Sequence, residues 1–457
     1  TWLAIGASIF ASNIGSEHLS GLARAGASSG MAMAHWEIQG WMILILGWVF
    51  VPFYSRSMVY TMPEFLERRY NPQSRTILSV ISLVSYVLTK VAVTVYASGL
   101  VFQQVFGIKE LCGIDFFWIA AIGLVVLTAL YTIFGGMKSV LYTSVLQTPI
   151  LLLGSLIILV LGFKELGGWD EMMRVCGAVT VNDYGDTMTN LIRSNDDANF
   201  PWLGALIGSA IIGFWYWCTD QFIVQRVLSG KNEKEARRGT IFGAYLKLLP
   251  VFLFLIPGMI AFALHQKYIG AGGEGFLPML ANGTANADAA FPTLVAKLLP
   301  AGVKGLVVCG ILAALMSSLA SLFNSSAMLF TIDFYKRFRP ETPEKKLVGI
   351  GQIATVVIVI LGILWIPIMR SVGDVLYTYL QDVQSVLAPG IAAAFLLGIC
   401  WKRTSAQGGM WGLIAGFIIG ITRLGAKVYY TSGATFSDSW FKYLFYDTNW
   451  LFFCGGM

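Results

Sequence analysis

Residues 2–22 read WLAIGASIFASNIGSEHLSGL, an apolar run whose centre, residues 12–16, carries the polar sequence SNIGS. Asn and Gly are unfavourable in a helix interior, so this run predicts a break near its middle. Five apolar runs further along the chain, Gly213 precedes the sequence FWYWCTD at residues 214–220. Spans five apart cross a membrane in opposite directions. Interrupted spans at matching places in two inverted halves are typical of a binding site at the membrane midplane.

The composition of the chain indicates a membrane protein. Of its 457 residues 56% are hydrophobic and 12% are charged, whereas a soluble domain has roughly 25% charged residues. This composition excludes a soluble enzyme, a nucleic-acid binder and a disordered chain. The net charge of +6 requires no acidic partner, because in membrane proteins the placement of Lys and Arg matters more than their sum.

Twelve apolar runs predict twelve membrane-spanning helices. A barrel strand would need only about ten residues with strict alternation, and these runs are longer and do not alternate. They fall near residues 3–23, 29–53, 76–107, 115–134, 141–163, 200–225, 240–264, 297–332, 347–369, 372–399, 408–426 and 441–457.

The charges of the connecting segments predict the orientation. Every second connection is basic, for example 226–238 and 336–346, whereas the long loop 164–199 is acidic. Because Lys and Arg favour the cytoplasmic side, the first run should enter from the cytoplasm, and the long loops 164–199 and 265–296 should lie outside.

The two ends of the chain predict a fragment. The chain begins with Thr1, and its last apolar run stops at about half the length that a span requires.

Cys112 and Cys176 fall in loops on the same predicted side. A disulfide between them and two free thiols agree about equally well with the sequence.

Ionisable residues inside spans are costly and are therefore functional candidates. Glu37 and Lys247 lie well inside their runs and predict either a structural ion pair between helices or a polar binding site. Lys90 is interpreted as a structural residue that extends towards the membrane interface. Asp220 and Arg226 predict a structural ion pair near the cytoplasmic end.

The eighth run carries a stripe of hydroxyl groups. Ser317, Ser321 and Ser325 are spaced four residues apart and therefore share one helix face. Such a stripe favours either close helix packing, with hydroxyls bonded to the preceding turn, or a site for a small hard cation. A cation site would also use the carbonyl groups that a broken helix releases, and Asn13 to Gly15 predict such a break.

Aromatic residues crowd the sixth run at positions 214–217. Most aromatic residues in spans pack or lie at the interface, but a sugar presents an apolar face to such rings and hydroxyls at its edge. Those hydroxyls donate and accept hydrogen bonds, so a carboxylate, an ammonium and amides suit them. Candidates are Asn13, His18, Glu37, Lys247 and Gln381; His18 and Gln381 alone favour buried polar residues with local partners.

Several long motifs in the same order resemble the sodium/glucose cotransporters of the solute:sodium symporter family, over nearly the whole chain. They are ASNIGS at 11–16 with His18, Trp36-Glu37, YTIFGGM at 131–137, WYWC at 215–218, Asp220-Gln221 and VQR at 224–226, YLKL at 245–248, and AALMSSLAS at 313–321.

The resemblance implies a fold and a division of the chain. The fold would be an all-α multi-pass membrane protein with a five-plus-five inverted-repeat, LeuT-like core whose first and sixth helices are broken. Residues 1–163 would form the first repeat, 200–399 the second, and 400–457 additional C-terminal helices.

The resemblance also implies ligands for residues of this chain. Sodium would bind the carbonyls of Ala11, Ile14 and Ala314 and the hydroxyls of Ser317 and Ser318. The sugar would bind Asn13, His18, Glu37, Lys247 and Gln381. Tyr216 would lie under the sugar as the inner gate with Trp217 beside it, and Leu22, Trp36 and Tyr377 would form the outer lid.

Four positions depart from the family pattern. Ser144 stands where some members have an Asp of a second sodium site, and Ala320 stands where a Thr accompanies that site, so we expect one sodium per sugar. Gly213 replaces a polar residue that can reach the sugar, and Gly40 lacks a side chain where a bacterial relative has a Ser.

The prediction is therefore sodium-driven symport of a glucose- or galactose-like monosaccharide, with sodium co-transported, in the plasma membrane or a bacterial inner membrane. A sodium-coupled myo-inositol or polyol transporter is the alternative substrate class. A non-transporting sugar sensor or a sodium channel on the same scaffold is the alternative function. The sequence contains no enzyme motif, and it does not indicate an oligomeric state.

Overall fold

The computed structural model describes residues 1–15, 17–280, 283–372, 376–431 and 439–457. Apart from one short hairpin, its regular elements are helical. The helices are α1 (Trp2–Asn13), α2 (Ala23–Ser29), α3 (Ala34–Ile38), α4 (Trp41–Ile45), α5 (Val51–Ser57), α6 (Met62–Arg69), α7 (Pro72–Ser85), α8 (Ala92–Phe106), α9 (Phe116–Leu166), α10 (Trp169–Gly177), α11 (Trp202–Gly213), α12 (Gln221–Leu228), α13 (Glu233–Leu246), α14 (Ile256–Gly270), α15 (Ala290–Leu298), α16 (Ala301–Met328), α17 (Lys336–Phe338), α18 (Glu344–Val372), α19 (Leu376–Cys400), α20 (Ala406–Thr431), α21 (Ser439–Lys442) and α22 (Trp450–Gly456).

Short segments of different pitch join many of these helices. π-helical turns occupy Glu17–Leu22, Leu46–Phe50, Tyr86–Val91, Phe214–Thr219, Val251–Leu255, Leu329–Tyr335 and Tyr443–Asp447, and 3₁₀ turns occupy Gly30–Met33 and Ala287–Ala289. β1 (Glu110–Leu111) and β2 (Ile114–Asp115) form an antiparallel hairpin. π-helical turns are frequent at functional sites. The turn at Glu17–Leu22 follows the break in the first run, and the turn at Phe214–Thr219 ends at the break in the sixth.

Nine helical stretches within the described ranges are long and apolar enough to cross a membrane. Fewer stretches than the twelve predicted runs meet this criterion, and the first run shows why. Its helix α1 has only 12 residues, because the chain leaves the helical conformation after Asn13.

The fourth and fifth predicted runs belong to one continuous helix, α9, where the sequence predicts a connection around Lys138. A straight helix would place residues 131 and 144 about 20 Å apart. However, the Tyr131 hydroxyl donates to the Met316 carbonyl at 2.9 Å, and the Ser144 hydroxyl lies 3.1 Å from that of Ser317. The axis of α9 therefore turns between these residues while the backbone remains helical.

The broken helices lie where the two halves of the chain pack together. α1 contacts α9, α13 and α16, and α9 also packs against α16. The approach of α1 to α13 depends on glycine, because a Cβ atom at Gly6 would lie 2.8 Å from the Gly239 carbonyl oxygen. The sixth run breaks at Asp220, which is extended (φ −78°, ψ 127°) and caps α12 by accepting from the Phe222 amide.

Polar contacts join segments near the helix ends that are distant in the sequence. Arg75 binds Glu67 and Asp333, and Arg337 donates to the Pro72 carbonyl at 3.0 Å. Near the starts of the two long loops, Lys267 in α14 donates to the carbonyl of Leu166, the last residue of α9, at 3.0 Å.

Cys112 and Cys176 are free thiols in the structure and do not form a disulfide with each other. Cys112 is exposed in the hairpin, whereas Cys176 is buried in α10. Burial raises the pKa of the Cys176 thiol to about 12.

Candidate functional site

The break in the first core helix supplies main-chain oxygen atoms. Ile14 follows α1 in an extended conformation, with φ −82° and ψ 90°. In a continuous helix the Gly15 amide would donate to the Ala11 carbonyl, but it donates to the Asn13 carbonyl at 3.1 Å. The break therefore releases a carbonyl group near the middle of a span, which is the kind of ligand that transported cations use.

The hydroxyl groups of α16 meet this break. Ser318 Oγ donates to the Ser12 carbonyl at 3.0 Å, and Ser317 Oγ lies 3.1 Å from Ser144 Oγ in α9. The five predicted sodium positions are at most 3% exposed and are Ala11, Ile14, Ala314, Ser317 and Ser318. All five predicted positions are therefore buried, and of the two serines Ser318 contacts α1 whereas Ser317 contacts α9.

The remainder of the serine stripe bonds within its own helix. Ser321 Oγ donates to the Ser317 carbonyl at 2.6 Å, and Ser325 Oγ donates to the Ser321 carbonyl at 2.8 Å. Such bonds to the preceding turn are the packing alternative for a hydroxyl stripe. That alternative describes Ser321 and Ser325, whereas Ser317 and Ser318 bond to other helices.

Three ionisable side chains meet beside the break and form what we call the polar triad: His18, Glu37 and Lys247. The Lys247 ammonium lies 2.6 Å from Glu37 Oε2 and 2.9 Å from His18 Nε2, and His18 Nε2 lies 3.4 Å from Glu37 Oε1. All three residues are at most 5% exposed. Removing charges from water is costly, so such a cluster needs mutual pairing and further hydrogen bonds.

Asn13 connects the two broken helices. Its Nδ2 donates to the Tyr216 hydroxyl at 3.0 Å, and Trp217 packs edge-on against Tyr216 with ring centroids 4.9 Å apart. The Lys247 ammonium lies 5.7 Å from the Trp217 ring centroid. The aromatic pair and the polar triad are therefore parts of one site.

Among the residues lining this site that the structure describes, Asn13 and His18 each have one buried polar atom with neither a hydrogen bond nor an ion pair. These atoms are Asn13 Oδ1, an acceptor, and His18 Nδ1. Most buried polar groups are satisfied, so two orphaned atoms in one site indicate a place for a polar ligand.

A small cavity of about 20 Å³ lies next to the break in the first core helix. Its lining includes Ser12, Lys90, Tyr216 and Ser318. It therefore borders both the serine that meets the break and the tyrosine that Asn13 holds.

The predicted gate residues are described only in part. Leu22 is fully buried, and Trp36 is 6% exposed, with its ring edge-on to Trp450 at 5.5 Å between centroids. Tyr377 and Gln381 belong to α19, but their side chains lie outside the described part of the structure.

Lys90 and Asp220 are structural residues, as predicted, but two details of the prediction are wrong: Lys90 does not extend to the membrane interface, and Asp220 pairs with Lys90 and not with Arg226. Lys90 is 7% exposed and forms an ion pair with Asp220, whose other carboxylate oxygen accepts from the Tyr86 hydroxyl. The Arg226 guanidinium instead donates to Ser8 Oγ at 3.1 Å. The cost of a buried charge could have indicated the Lys90–Asp220 pair from the sequence, because a lysine and an aspartate inside spans each need a partner of opposite charge.

The fold and this site define a membrane transporter of the broken-helix class. The model of the Sodium:solute symporter family matches residues 1–416, and the chain belongs to that family. It is 41% identical over 456 residues to sodium/glucose cotransporter 1 of Ovis aries, covering 96% of this chain and 68% of that protein. It is 38% identical over 436 residues to sodium/myo-inositol cotransporter 2 of Homo sapiens, covering 93% and 64%.

The chain spans about two thirds of the length of these relatives. Among solved structures it resembles a substrate-bound outward-open Na⁺-coupled sialic acid symporter with a TM-score of 0.74 at 23% identity, covering 92% of this chain and 89% of that one. MhsT in complex with L-phenylalanine matches with a TM-score of 0.52 at 12% identity, covering 100% and 95%. These likenesses confirm the LeuT-like fold.

Proposed function

We propose that this chain is the transport core of a symporter that couples sodium entry to uptake of a monosaccharide across the cell membrane. The observation that carries the proposal is the polar triad next to the Asn13–Tyr216 contact. The names of the relatives support the same chemistry, since they are sodium/glucose and sodium/myo-inositol cotransporters.

The triad and the aromatic pair suit a sugar. Glu37 accepts hydrogen bonds from hydroxyl groups, Lys247 donates to them, the Asn13 amide offers a donor and an acceptor, and the His18 ring nitrogens add further polar atoms. The face of Tyr216 offers an apolar surface for the sugar ring. Gln381 would add a further amide from α19.

The break in α1 would hold the cation. Sodium would bind the carbonyls of Ala11, Ile14 and Ala314 and the hydroxyls of Ser317 and Ser318. We expect one sodium per sugar, because the fifth core helix presents the Ser144 hydroxyl to Ser317 and not a carboxylate.

Coupling follows if sodium favours one of two states. Sodium between α1 and α16 would stabilise the outward-open arrangement and order the sugar site. Sugar binding would then allow the lid at Leu22, Trp36 and Tyr377 to close. Movement of the inner gate Tyr216 would open the site to the inside and release both ligands. One charge moving through 100 mV contributes roughly 2.3 kcal/mol, and a tenfold sodium gradient adds about 1.4 kcal/mol. Together they could support a sugar gradient of several hundred-fold.

A polyol is the second candidate substrate. The identity to the myo-inositol cotransporter, 38%, is close to the 41% found for the glucose cotransporter. A cyclitol offers the same ring of hydroxyl groups to the triad.

The test is uptake of labelled glucose by cells that express the protein, in sodium and in choline medium, with galactose or myo-inositol as competitor. Uptake that requires sodium and is competed by galactose supports the monosaccharide. Competition by myo-inositol alone would assign a polyol. Glucose uptake that does not depend on sodium would contradict the proposal, and so would the absence of uptake of both glucose and myo-inositol.

A further inference from the structure

Gln39 is a buried amide that the sugar set does not include. It follows α3 at the junction with α4, two residues after Glu37, and is 6% exposed. Its Oε1 is buried and makes no hydrogen bond within the described ranges of the chain. A buried amide oxygen without a partner is costly and calls for an explanation.

This oxygen lies against Gly213. A Cβ atom added at Gly213 would be 2.7 Å from Gln39 Oε1. Gly213 ends α11 and lies three residues before Tyr216, so both positions are on the same side of the broken helix. The Gln39 amide therefore occupies the space of the missing side chain at position 213, about one turn from the tyrosine under the proposed sugar.

Gly40, the next residue in the α3–α4 junction, faces the polar triad. A Cβ atom at Gly40 would lie 3.0 Å from Lys247 Cγ. The α3–α4 junction thus contacts the end of α13 through Gly40 and α11 through Gln39. One longer amide between two glycines can supply the hydrogen bonding that neither glycine offers.

We propose that the Gln39 amide binds one hydroxyl group of the transported sugar or polyol beside Gly213 and determines which epimer is accepted. The proposal rests on the proposed function. An amide has an acceptor at one end and a donor at the other, and a hydroxyl both donates and accepts, so either orientation of the amide makes the bond.

The test compares wild type and Gln39→Leu on glucose and its single-deoxy analogues, by sodium-driven uptake. A site built to bind a hydroxyl discriminates strongly against a ligand that lacks it. We expect the KM for glucose to rise about 10-fold or more in Gln39→Leu. For one deoxy analogue, which lacks the partner hydroxyl, wild type and variant should have the same KM, and the sodium dependence should not change.

Gly213→Ala is the second variant. Its Cβ atom would displace the flexible end of Gln39 and lie 3.2 Å from Met42 Cγ, also a flexible side chain, so the fold should survive while the same hydroxyl loses its partner. Met42→Leu is the control, because Met42 also borders Gly213 but is apolar.

A KM that rises equally for every analogue, or that does not change in Gln39→Leu, would overturn the inference. Wild type without sodium-driven uptake of any sugar would instead refute the proposed function.

Discussion

At the scale of single residues, the central feature is the polar triad. Glu37 is fully buried and lies 2.6 Å from the Lys247 ammonium, with His18 beside both. A buried ion pair is weak evidence for stability, because desolvation offsets most of the attraction. Its retention beside orphaned polar atoms favours a ligand-binding role over a purely structural one.

Glu37→Gln tests this role. The substitution keeps the shape of the side chain but leaves the Lys247 charge with a neutral partner, so sugar uptake should be abolished. Breaking one side of a buried pair costs about 3–5 kcal/mol, so the thermal midpoint should also fall. Glu171→Gln is the control, since Glu171 pairs with Arg174 on the surface of α10 and should leave uptake intact. Normal uptake in Glu37→Gln would refute the sugar site.

The double variant Ser317→Ala with Ser318→Ala tests the cation site. Both hydroxyls bond to other helices, Ser318 to α1 at the break and Ser317 to α9, so sodium stimulation of uptake should disappear. Ser321→Ala is the matched control, because its hydroxyl bonds to its own helix. Uptake is measured against sodium concentration. Sodium stimulation that is the same in the double variant and in Ser321→Ala would rule out a cation site at these serines.

At the scale of helices, the breaks bring residues of distant sequence together. Asp220 ends the π-helical turn that carries Tyr216 and Trp217, and it binds Lys90 from the third run. The Lys90 ammonium also lies 4.6 Å from the Tyr216 ring centroid. This ion pair therefore connects the turn of the sixth helix to the third helix at the level of the proposed inner gate.

Lys90→Met should destabilise the protein strongly, because it leaves the Asp220 carboxylate buried without its cation, at a cost of about 3–5 kcal/mol. Adding Asp220→Asn should recover part of that loss. The thermal midpoint in detergent for the two single variants and the double variant measures the coupling. Additive losses in the double variant would contradict a direct pair.

The sequence predicts the positions of the breaks better than the partners of buried charges. The breaks can be recognised from the local sequence, at Asn13 and Gly15 and in the aromatic segment at 214–220, because a residue with low helix propensity destabilises the helix at its own position. Partners such as Lys90 and Asp220 lie 130 residues apart, and no local pattern indicates which cation meets which carboxylate. The turn within α9 was also missed, because its backbone remains helical where a loop was expected.

The site shows the same limit. Spacing alone identifies Glu37, Lys247 and the serine stripe as unusual, but only the family resemblance assembles them with Asn13 and His18. Gln39 was missed because its significance depends on its contact with Gly213, on another helix.

At the scale of the whole molecule, the charge pattern predicts which end faces outward. The hairpin that carries Cys112 should then lie outside. Cys112 is exposed, whereas Cys176 in the same predicted outer region is buried and has a pKa near 12, so at neutral pH it is an unreactive thiol.

A membrane-impermeant maleimide applied to intact cells should therefore label the wild-type protein, and Cys112→Ser should lose that labelling. Cys176→Ser is the control and should be labelled like wild type. Labelling of Cys112 that requires permeabilised cells would show that the orientation is reversed.

The central claim is that sodium entry drives sugar uptake, and flux into proteoliposomes tests it most directly. The purified protein is reconstituted, and entry of labelled glucose or myo-inositol is followed with an inward sodium gradient and a negative interior. The account predicts accumulation above the external concentration that collapses when the sodium gradient is removed by an ionophore. Sugar that only equilibrates, at a rate that does not depend on the sodium gradient, would contradict it.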